Sequence, residues 1–188
     1  SEQLKDDHNI SILNPLSGDL SVLRQSLLFS GLEAISFNIN RKRGYLKLFE
    51  FGKTYHGYSD KREEFKHLAI FVTGNQNAEN WNAPNKRSDF FFLKGIITVI
   101  LERLGITRFK ESPISNDLFS EGLEFGLGKT KLVDFGLVKK TILKHFDISQ
   151  DVVFADFNWD SILTFLIPGI INGFRSSGFL LLKGTSTS

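Results

Sequence analysis

The sequence predicts an α+β fold in which helices flank an antiparallel β-sheet. Segments with strand character outnumber helical segments, and neighbouring strand segments are joined by turn-forming stretches typical of hairpins. A parallel sheet would require a regular alternation of strand and helix, which this chain lacks. With 188 residues, the chain is long enough for one domain with a sizeable core.

Composition narrows the possible classes of function. The net charge of +2 is too small to argue for nucleic-acid binding by itself. The absence of cysteine excludes disulfides and thiolate metal sites, and it fits a cytoplasmic protein. No two histidines lie at a spacing typical of metal ligands, so we predict no metal site. We expect His56 and His67 to be exposed loop residues, at the two ends of a hairpin loop.

The first unit is predicted over residues 13–55, after an N-terminal linker or edge strand at 1–12. Ser30 is a candidate N-cap for a helix whose apolar residues repeat at helical spacing. Gly44 can end this helix. A strand rich in Phe, Leu and Tyr follows over residues 46–55.

The next unit combines a strand, a loop and the most apolar helix of the chain. Residues 56–64 are polar and predict a loop, and residues 66–74 predict a strand that pairs with the preceding one. After an Asn-rich loop, whose Trp81 is expected to pack onto the domain, Ser88 caps a helix over residues 89–104. The apolar stripe of this helix is wider than one core requires, so we expect one side to face a partner. We expect the residues on that side to be Phe91, Phe92 and Ile96.

The second half of the chain adds shorter elements. These are a strand at 107–112, a hairpin at 123–138 that turns near Gly128, a helix at 139–146, a strand at 151–158 and a helix from 159. The core domain is predicted to end at residue 165, because the tail at 166–188 changes in composition and contains no acidic residue. The apolar run of the tail is too short to cross a membrane and is interrupted by Pro168.

Two short motifs suggest nucleotide chemistry, but other interpretations fit better. Residues 126–130 end like a phosphate-binding loop, yet Leu123 stands where the first glycine of that loop belongs. The run also leads into a strand, so no helix N-terminus would face a phosphate, and a hairpin turn is preferred. The triplet Asp134-Phe135-Gly136 spells a kinase metal-binding motif without the other kinase motifs, and we interpret it as chance.

A series of short motifs runs through most of the chain. They are Asn14-Pro15, Leu23-Arg24-x-Ser26-Leu27, Gly31-Leu32, Asn38, Arg41, Phe49-Glu50-x-Gly52, Trp81 and the run from Asp89 to Gly95. This series resembles one known family, the catalytic-like core module of bacterial phenylalanyl-tRNA synthetase beta subunits. The resemblance covers about residues 12–163 and implies a core like that of class II aminoacyl-tRNA synthetases.

The resemblance implies a part in attaching phenylalanine to tRNA during protein biosynthesis. In the family, two alpha and two beta chains form a cytoplasmic heterotetramer, and the alpha chain carries the active site. The implied partners are therefore the alpha subunit and a second beta subunit, with tRNA bound by the holoenzyme and no membrane involved. ATP and magnesium would be cofactors of the holoenzyme and not of this module.

The positions of the active-site arginines indicate that the module is not catalytic. Active class II enzymes hold an ATP phosphate with an Arg two positions before a Glu in a central strand. If Glu50 is that Glu, Leu48 stands in the arginine position. A second Arg is expected late in the core, yet the chain has none between Arg108 and Arg175. We therefore predict no catalytic, cofactor-binding or metal-binding residue and interpret the module as structural.

Two other classes of function stay open at this point. A free-standing class II-like enzyme that adenylates a small acid would have to bind ATP. An RNA-binding module would need its basic residues to converge on one face. Those residues are Lys42, Arg43, Lys61, Arg62, Lys86 and Arg87.

Two structural predictions concern Arg24 and the apolar surface. Arg24 lies between leucines that we expect to be buried, so its guanidinium needs a carboxylate or carbonyl partner. Glu50 is the candidate for this structural ion pair. The wide apolar helix and the apolar tail also predict a weak homodimer of the isolated chain, because monomers rarely expose a large apolar patch.

Overall fold

The computed structural model describes residues 26–58, 61–76 and 86–166, in which helices and strands follow the predicted α+β pattern. A further helix begins at residue 159 and is described as far as residue 166. The elements in chain order are α1 (Leu28–Ile39), β1 (Leu46–Tyr58), β2 (Lys61–Thr73), α2 (Phe90–Arg103), β3 (Lys110–Pro113), β4 (Phe119–Leu127), β5 (Thr130–Val138), α3 (Lys140–His145) and β6 (Val152–Asn158).

The strands form one antiparallel sheet in the order β1-β2-β6-β5-β4-β3. The last strand in sequence, β6, lies between β2 and β5 and joins the two halves of the sheet. A central strand is covered on both faces, and β6 is accordingly buried except at Asp156 and Asn158. The predicted antiparallel sheet flanked by helices is confirmed.

Helices cover both faces of the sheet, which we name the α1 face and the α2 face. On the α2 face, the buried side of α2 packs against a cluster that includes Phe125 and Phe135. On the α1 face, the buried residues of α1 pack with Phe71 and Phe154, whose ring centroids lie 4.8 Å apart. Each fully buried side chain of this size stabilises the fold by roughly 1.5–3 kcal/mol, so both clusters are needed for stability.

The start of α2 is fixed by Asp89 and not by Ser88. The Asp89 carboxylate accepts a hydrogen bond from the N–H of Phe92 at 2.8 Å, which is N-cap geometry. The Ser88 hydroxyl is buried and has no hydrogen-bond partner among the described residues. The predicted cap is therefore wrong by one residue. The predicted end at Gly105 is confirmed, since this glycine has a φ of 79°.

Helix α1 begins earlier than predicted and ends differently. Ser30 lies inside the helix, and its hydroxyl is 3.0 Å from the carbonyl oxygen of Leu27. The predicted N-cap is wrong because Leu28 is itself buried against the sheet, so packing extends the helix before the capping residue. The helix ends at Ile39, and Lys42 rather than Gly44 takes a left-handed conformation, with a φ of 62°.

The β1–β2 hairpin is longer than predicted. Each strand has 13 residues, and Tyr58 pairs with Lys61, so most of the predicted loop at 56–64 belongs to strands. β1 is an edge strand, where polar side chains can stay in water. Lys53 and Glu64, for example, form an exposed ion pair at 2.8 Å.

The β4–β5 hairpin forms where the sequence predicts it. Gly128 has a φ of 63°, a conformation that favours glycine, and Leu127 pairs with Thr130 across the turn. Residues 126–130 therefore form a hairpin turn, as predicted, and not a phosphate-binding loop.

Several predictions concern residues outside the described ranges. These are the linker at 1–12, Arg24, Trp81 and the tail beyond residue 166. Within the described ranges, no helix has the length and apolar character needed to cross a membrane.

Candidate functional site

The α1 face carries the positions at which the family resemblance implied nucleotide binding. Leu48, which stands in the arginine position if Glu50 is the Glu of the class II motif, lies on β1 and packs, partly buried, against the apolar cluster of this face. Its cross-strand neighbour is Phe71, which is only 1% exposed. Glu50 follows on the same face, and the Ser30 hydroxyl of α1 lies 3.4 Å from its Oε2 atom. The side chain beside Phe71 is therefore a hydrocarbon, and α1 packs over this part of the sheet.

Further along the same face, a polar network crosses β1, β2 and β6. The Nδ1 atom of His67 lies 2.7 Å from Oδ1 of Asp156, and its Nε2 atom lies 3.0 Å from Oγ1 of Thr54. The prediction that His67 is an exposed loop residue is wrong, because it lies within β2 and is half-buried. In the register of the β1–β2 hairpin, His56 pairs with Glu63 and His67 pairs with Gly52.

Three carboxylates stand in one row across the centre of the α1 face. Glu124, Asp134 and Asp156 are direct cross-strand neighbours on β4, β5 and β6. Like charges placed opposite each other destabilise an antiparallel pair. Lys131 Nζ lies 2.7 Å from Oδ2 of Asp134, and His67 binds Asp156, so two of the three carboxylates have a basic partner.

Asp134 lies in the middle of this row, between the other two carboxylates. Burial raises the pKa of its carboxyl, and the neighbouring Glu124 and Asp156 raise it further, while Lys131 opposes the shift. Its Oδ1 atom is buried and has no hydrogen-bond partner within the described part of the chain. The carboxylate form of Asp134 is therefore costly at this position.

The network contains acid–base groups but lacks the access that catalysis needs. A hydroxyl, an imidazole and a carboxylate in series have the order of a hydrolase triad. The hydroxyl belongs to Thr54, which is 1% exposed, so a substrate carbonyl cannot reach it. Within residues 26–58, 61–76 and 86–166, no group of three or more His, Asp or Glu side chains is placed to hold a metal ion. We conclude that the network fixes three strands to one another.

The three residues predicted to face a partner do not share one side of α2. Phe91 is 75% exposed, whereas Phe92 and Ile96 are half-buried against the cluster of the α2 face. Phe92 lies beside β1, because Lys47 Nζ is 5.1 Å from its ring centroid. Phe91 is displaced from Phe92 by about 100° around the helix and lies on the opposite flank.

An exposed aromatic surface that sequence reasoning missed lies on β1. Phe49 and Phe51 are 73% and 57% exposed, and they project from the α2 face of this edge strand. Phe51 contacts Trp159 edge to face, with ring centroids 5.0 Å apart. Alternation along β1 could have revealed the pair, but the sequence alone does not show that β1 is an edge strand. The predicted weak homodimer stays a prediction, for which sedimentation velocity across a concentration series is the measurement.

The six basic residues considered for RNA binding do not converge. Lys61 and Arg62 lie at the turn end of the β1–β2 hairpin. Each strand has 13 residues and rises 3.3 Å per residue, so this end lies about 40 Å from the other end of the hairpin. Lys42 and Arg87 line one cleft at that other end. The condition that an RNA-binding module would have to meet is therefore not met by the group as a whole.

The sheet and its helices match a known fold. The chain is similar to pyrrolysyl-tRNA synthetase from Desulfitobacterium hafniense, with a TM-score of 0.63, 17% identity, and coverage of 93% of this chain and 58% of that chain. A second structure of that enzyme gives a TM-score of 0.61 at 17% identity, covering 96% of this chain and 58% of the other. At this identity the likeness shows the fold alone, which is that of the class II aminoacyl-tRNA synthetases.

Sequence comparison gives the family. Residues 1–159 match the family described as phenylalanyl tRNA synthetase beta chain CLM domain. The chain therefore belongs to this family, and the resemblance read from the motifs is confirmed.

Individual relatives agree with this assignment. The phenylalanine–tRNA ligase beta subunit of Bacteroides thetaiotaomicron is 38% identical over 174 residues, covering 86% of this chain and 21% of that protein. The beta subunit of Porphyromonas gingivalis is 34% identical over 167 residues, covering 82% of this chain and 20% of that protein. The chain thus spans about a fifth of the length of these relatives.

Proposed function

We propose that this chain is a catalytic-like but inactive module of a phenylalanine–tRNA ligase beta subunit. It supports the alpha subunit, whose active site attaches phenylalanine to tRNA, within an assembly of two alpha and two beta chains. ATP and magnesium serve the reaction of the alpha subunit. This module binds neither of them.

The observation that carries the proposal is the environment of Leu48. A class II active site needs a guanidinium at this position to hold the charge of the ATP phosphate. Leu48 is instead packed into the apolar cluster beneath α1, beside the buried ring of Phe71. The residues present do not fit a bound ATP, so adenylation cannot proceed on this face.

The β1 aromatic surface supports the partner role. Phe49 and Phe51 lie on an edge strand, and Phe92 and Ile96 lie on the flank of α2 that faces β1. Exposed aromatic residues are enriched in protein interfaces. We place the contact with the alpha subunit on these residues, while Phe91 lies outside it.

An exchange assay tests the proposal. The purified 188-residue chain is assayed for phenylalanine-dependent exchange of pyrophosphate into ATP, alone and after co-expression with the alpha subunit of its own organism. We expect no exchange by the chain alone and no micromolar ATP–magnesium binding in calorimetry. Robust exchange, or micromolar ATP binding, by the chain alone would overturn the proposal in favour of a free-standing adenylating enzyme.

A further inference from the structure

The outer side of α2 carries a line of apolar residues that faces away from the sheet. Phe91 and Val99 are 75% and 49% exposed, and Gly95 between them is exposed as well. Residues four positions apart are neighbours on one side of a helix, so the three form a continuous line. We name this line the outer stripe of α2. The helix therefore presents apolar surface to solvent as well as to the core.

The shape of the outer stripe is its own complement. A Cβ atom at Gly95 would meet no atom of the described residues within 4 Å, so the helix backbone is open to a close neighbour there. Phe91 and Val99 lie about one turn to either side of this gap. If a second copy is turned by 180° about an axis through Gly95, Phe91 of each copy faces Val99 of the other. Self-complementarity of this kind is what a two-fold interface requires.

The charges at the two ends of α2 match in the same arrangement. Arg87 and Asp89 precede the helix, Glu102 and Arg103 lie in its last turn, and all four are exposed. Antiparallel pairing about Gly95 brings the last turn of one helix to the start of the other. Glu102 then lies near Arg87 of the second copy, and Arg103 lies near Asp89. The positive end of each helix dipole also meets the negative end of the other, which stabilises the pair.

We propose that two copies of this chain associate through their outer stripes, with the two α2 helices antiparallel and the two-fold axis at Gly95. A second copy fits better than an unrelated helix, because both the shape and the charges of the stripe match their own two-fold image. One helix face buries less than the about 1,200 Å² typical of stable interfaces, so we expect a dissociation constant on the order of 100 µM. The stripe lies outside the surface assigned to the alpha subunit, and the inference does not rest on the proposed function.

Single-cysteine variants of the full 188-residue chain test the position of the axis. The chain contains no cysteine, so one introduced thiol can pair only with the same thiol of a second copy. Helix axes about 8–10 Å apart bring facing Cα atoms within the distance that a disulfide spans. Gly95→Cys should therefore form a disulfide-linked dimer on mild oxidation. Phe37→Cys, at an exposed position on α1, is the matched control and should stay monomeric.

A mixture of Phe91→Cys and Val99→Cys tests the orientation of the helices. In the antiparallel pair these two positions face each other, so the mixture should cross-link. The two copies of residue 91 lie eight residues apart along the helices, which is about 12 Å and too far for a disulfide. Each variant alone should therefore give little dimer. Efficient cross-linking of each variant with itself would indicate parallel helices and overturn the proposal.

Sedimentation velocity between about 10 µM and about 1 mM measures the association without a cross-link. Gly95→Glu should abolish the dimer in this range, because it places two carboxylates at the axis. The open space around Gly95 lets this variant fold, and its melting temperature verifies that it does. Phe51→Asp, at an exposed position on β1, should dimerise like the wild type.

A charge exchange tests the register. Arg87→Glu alone and Glu102→Arg alone should each weaken association about fivefold, because two symmetry-related ion pairs are lost. The double variant restores both pairs with their signs exchanged and should recover the affinity of the wild type. If the double variant is weaker than either single variant, the antiparallel register is wrong.

Four results would overturn the proposal as a whole. The first is a wild type that stays monomeric up to about 1 mM. The second is equal cross-linking of Gly95→Cys and Phe37→Cys. The third is a dimer that persists in Gly95→Glu but is lost in Phe51→Asp, which would place the contact on β1. The fourth is a monomeric chain whose Gly95→Cys thiol is protected from alkylation by bound alpha subunit, which would assign the stripe to that subunit.

Discussion

Gly31→Ala probes the packing of α1 on the sheet, on which the proposed inactivity of this face depends. A Cβ atom at Gly31 would overlap the ring of Phe71. That ring is 1% exposed and packs against Phe154 with centroids 4.8 Å apart, so it has no free space to move into. Overpacking of this kind costs about 3 kcal/mol at the upper end of its range, and the higher helix propensity of alanine returns about 1 kcal/mol. We expect a net loss of about 2 kcal/mol in the free energy of unfolding.

Urea denaturation measures this loss, and Gly95→Ala in α2 is its matched control. A Cβ atom at Gly95 would meet no other atom within 4 Å. The same substitution should therefore stabilise the protein there, by about 0.5–1 kcal/mol. If Gly31→Ala is as stable as the wild type or is stabilised like Gly95→Ala, α1 does not lie against Phe71 and the argument for a filled face fails.

The remaining predictions concern buried charge and the partner surface. The pKa of Asp134 is raised in the folded state, so the wild type should gain stability relative to Asp134→Asn as the pH falls from 7 towards about 4, where an unfolded Asp titrates. Urea denaturation across this pH range measures the difference in the free energy of unfolding. A difference that does not change with pH contradicts the prediction. Arg24→Met should cost about 3 kcal/mol if Arg24 pairs with Glu50, whereas a loss below about 0.5 kcal/mol in the same assay refutes the pair. Phe51→Asp should weaken binding of the alpha subunit about 30-fold in a surface-plasmon resonance assay. Phe37 is 57% exposed, like Phe51, and Phe37→Asp should leave this binding unchanged. Equal effects of the two variants would place the contact elsewhere.

The elements with strong local signals could be predicted from the sequence. The β4–β5 hairpin was predictable because Gly128 supplies the positive φ that its turn needs. The end of α2 at Gly105 was predictable for the same reason. The position of β6 between β2 and β5 was not, because strand order depends on long-range pairing that leaves no local signal.

The polar network shows why site residues are harder to predict than elements. His67 and Asp156 each interrupt an apolar strand, which was a visible signal. Their 2.7 Å contact depends on the register between β2 and β6, which brings together two residues 89 positions apart in the chain. The family motifs directed attention to Leu48 and Glu50, whereas only the structure shows that Leu48 packs against the apolar cluster of the α1 face.

Co-purification with the alpha subunit of the same organism tests the central claim most directly. The two chains are co-expressed, the alpha chain alone carries an affinity tag, and the eluate is analysed by size-exclusion chromatography with light scattering. The proposed support role predicts that this chain elutes in a stable complex with the alpha subunit and that Phe51→Asp reduces its recovery. Elution of this chain alone, with folded alpha subunit in excess, would contradict the claim that it is a supporting module of phenylalanine–tRNA ligase.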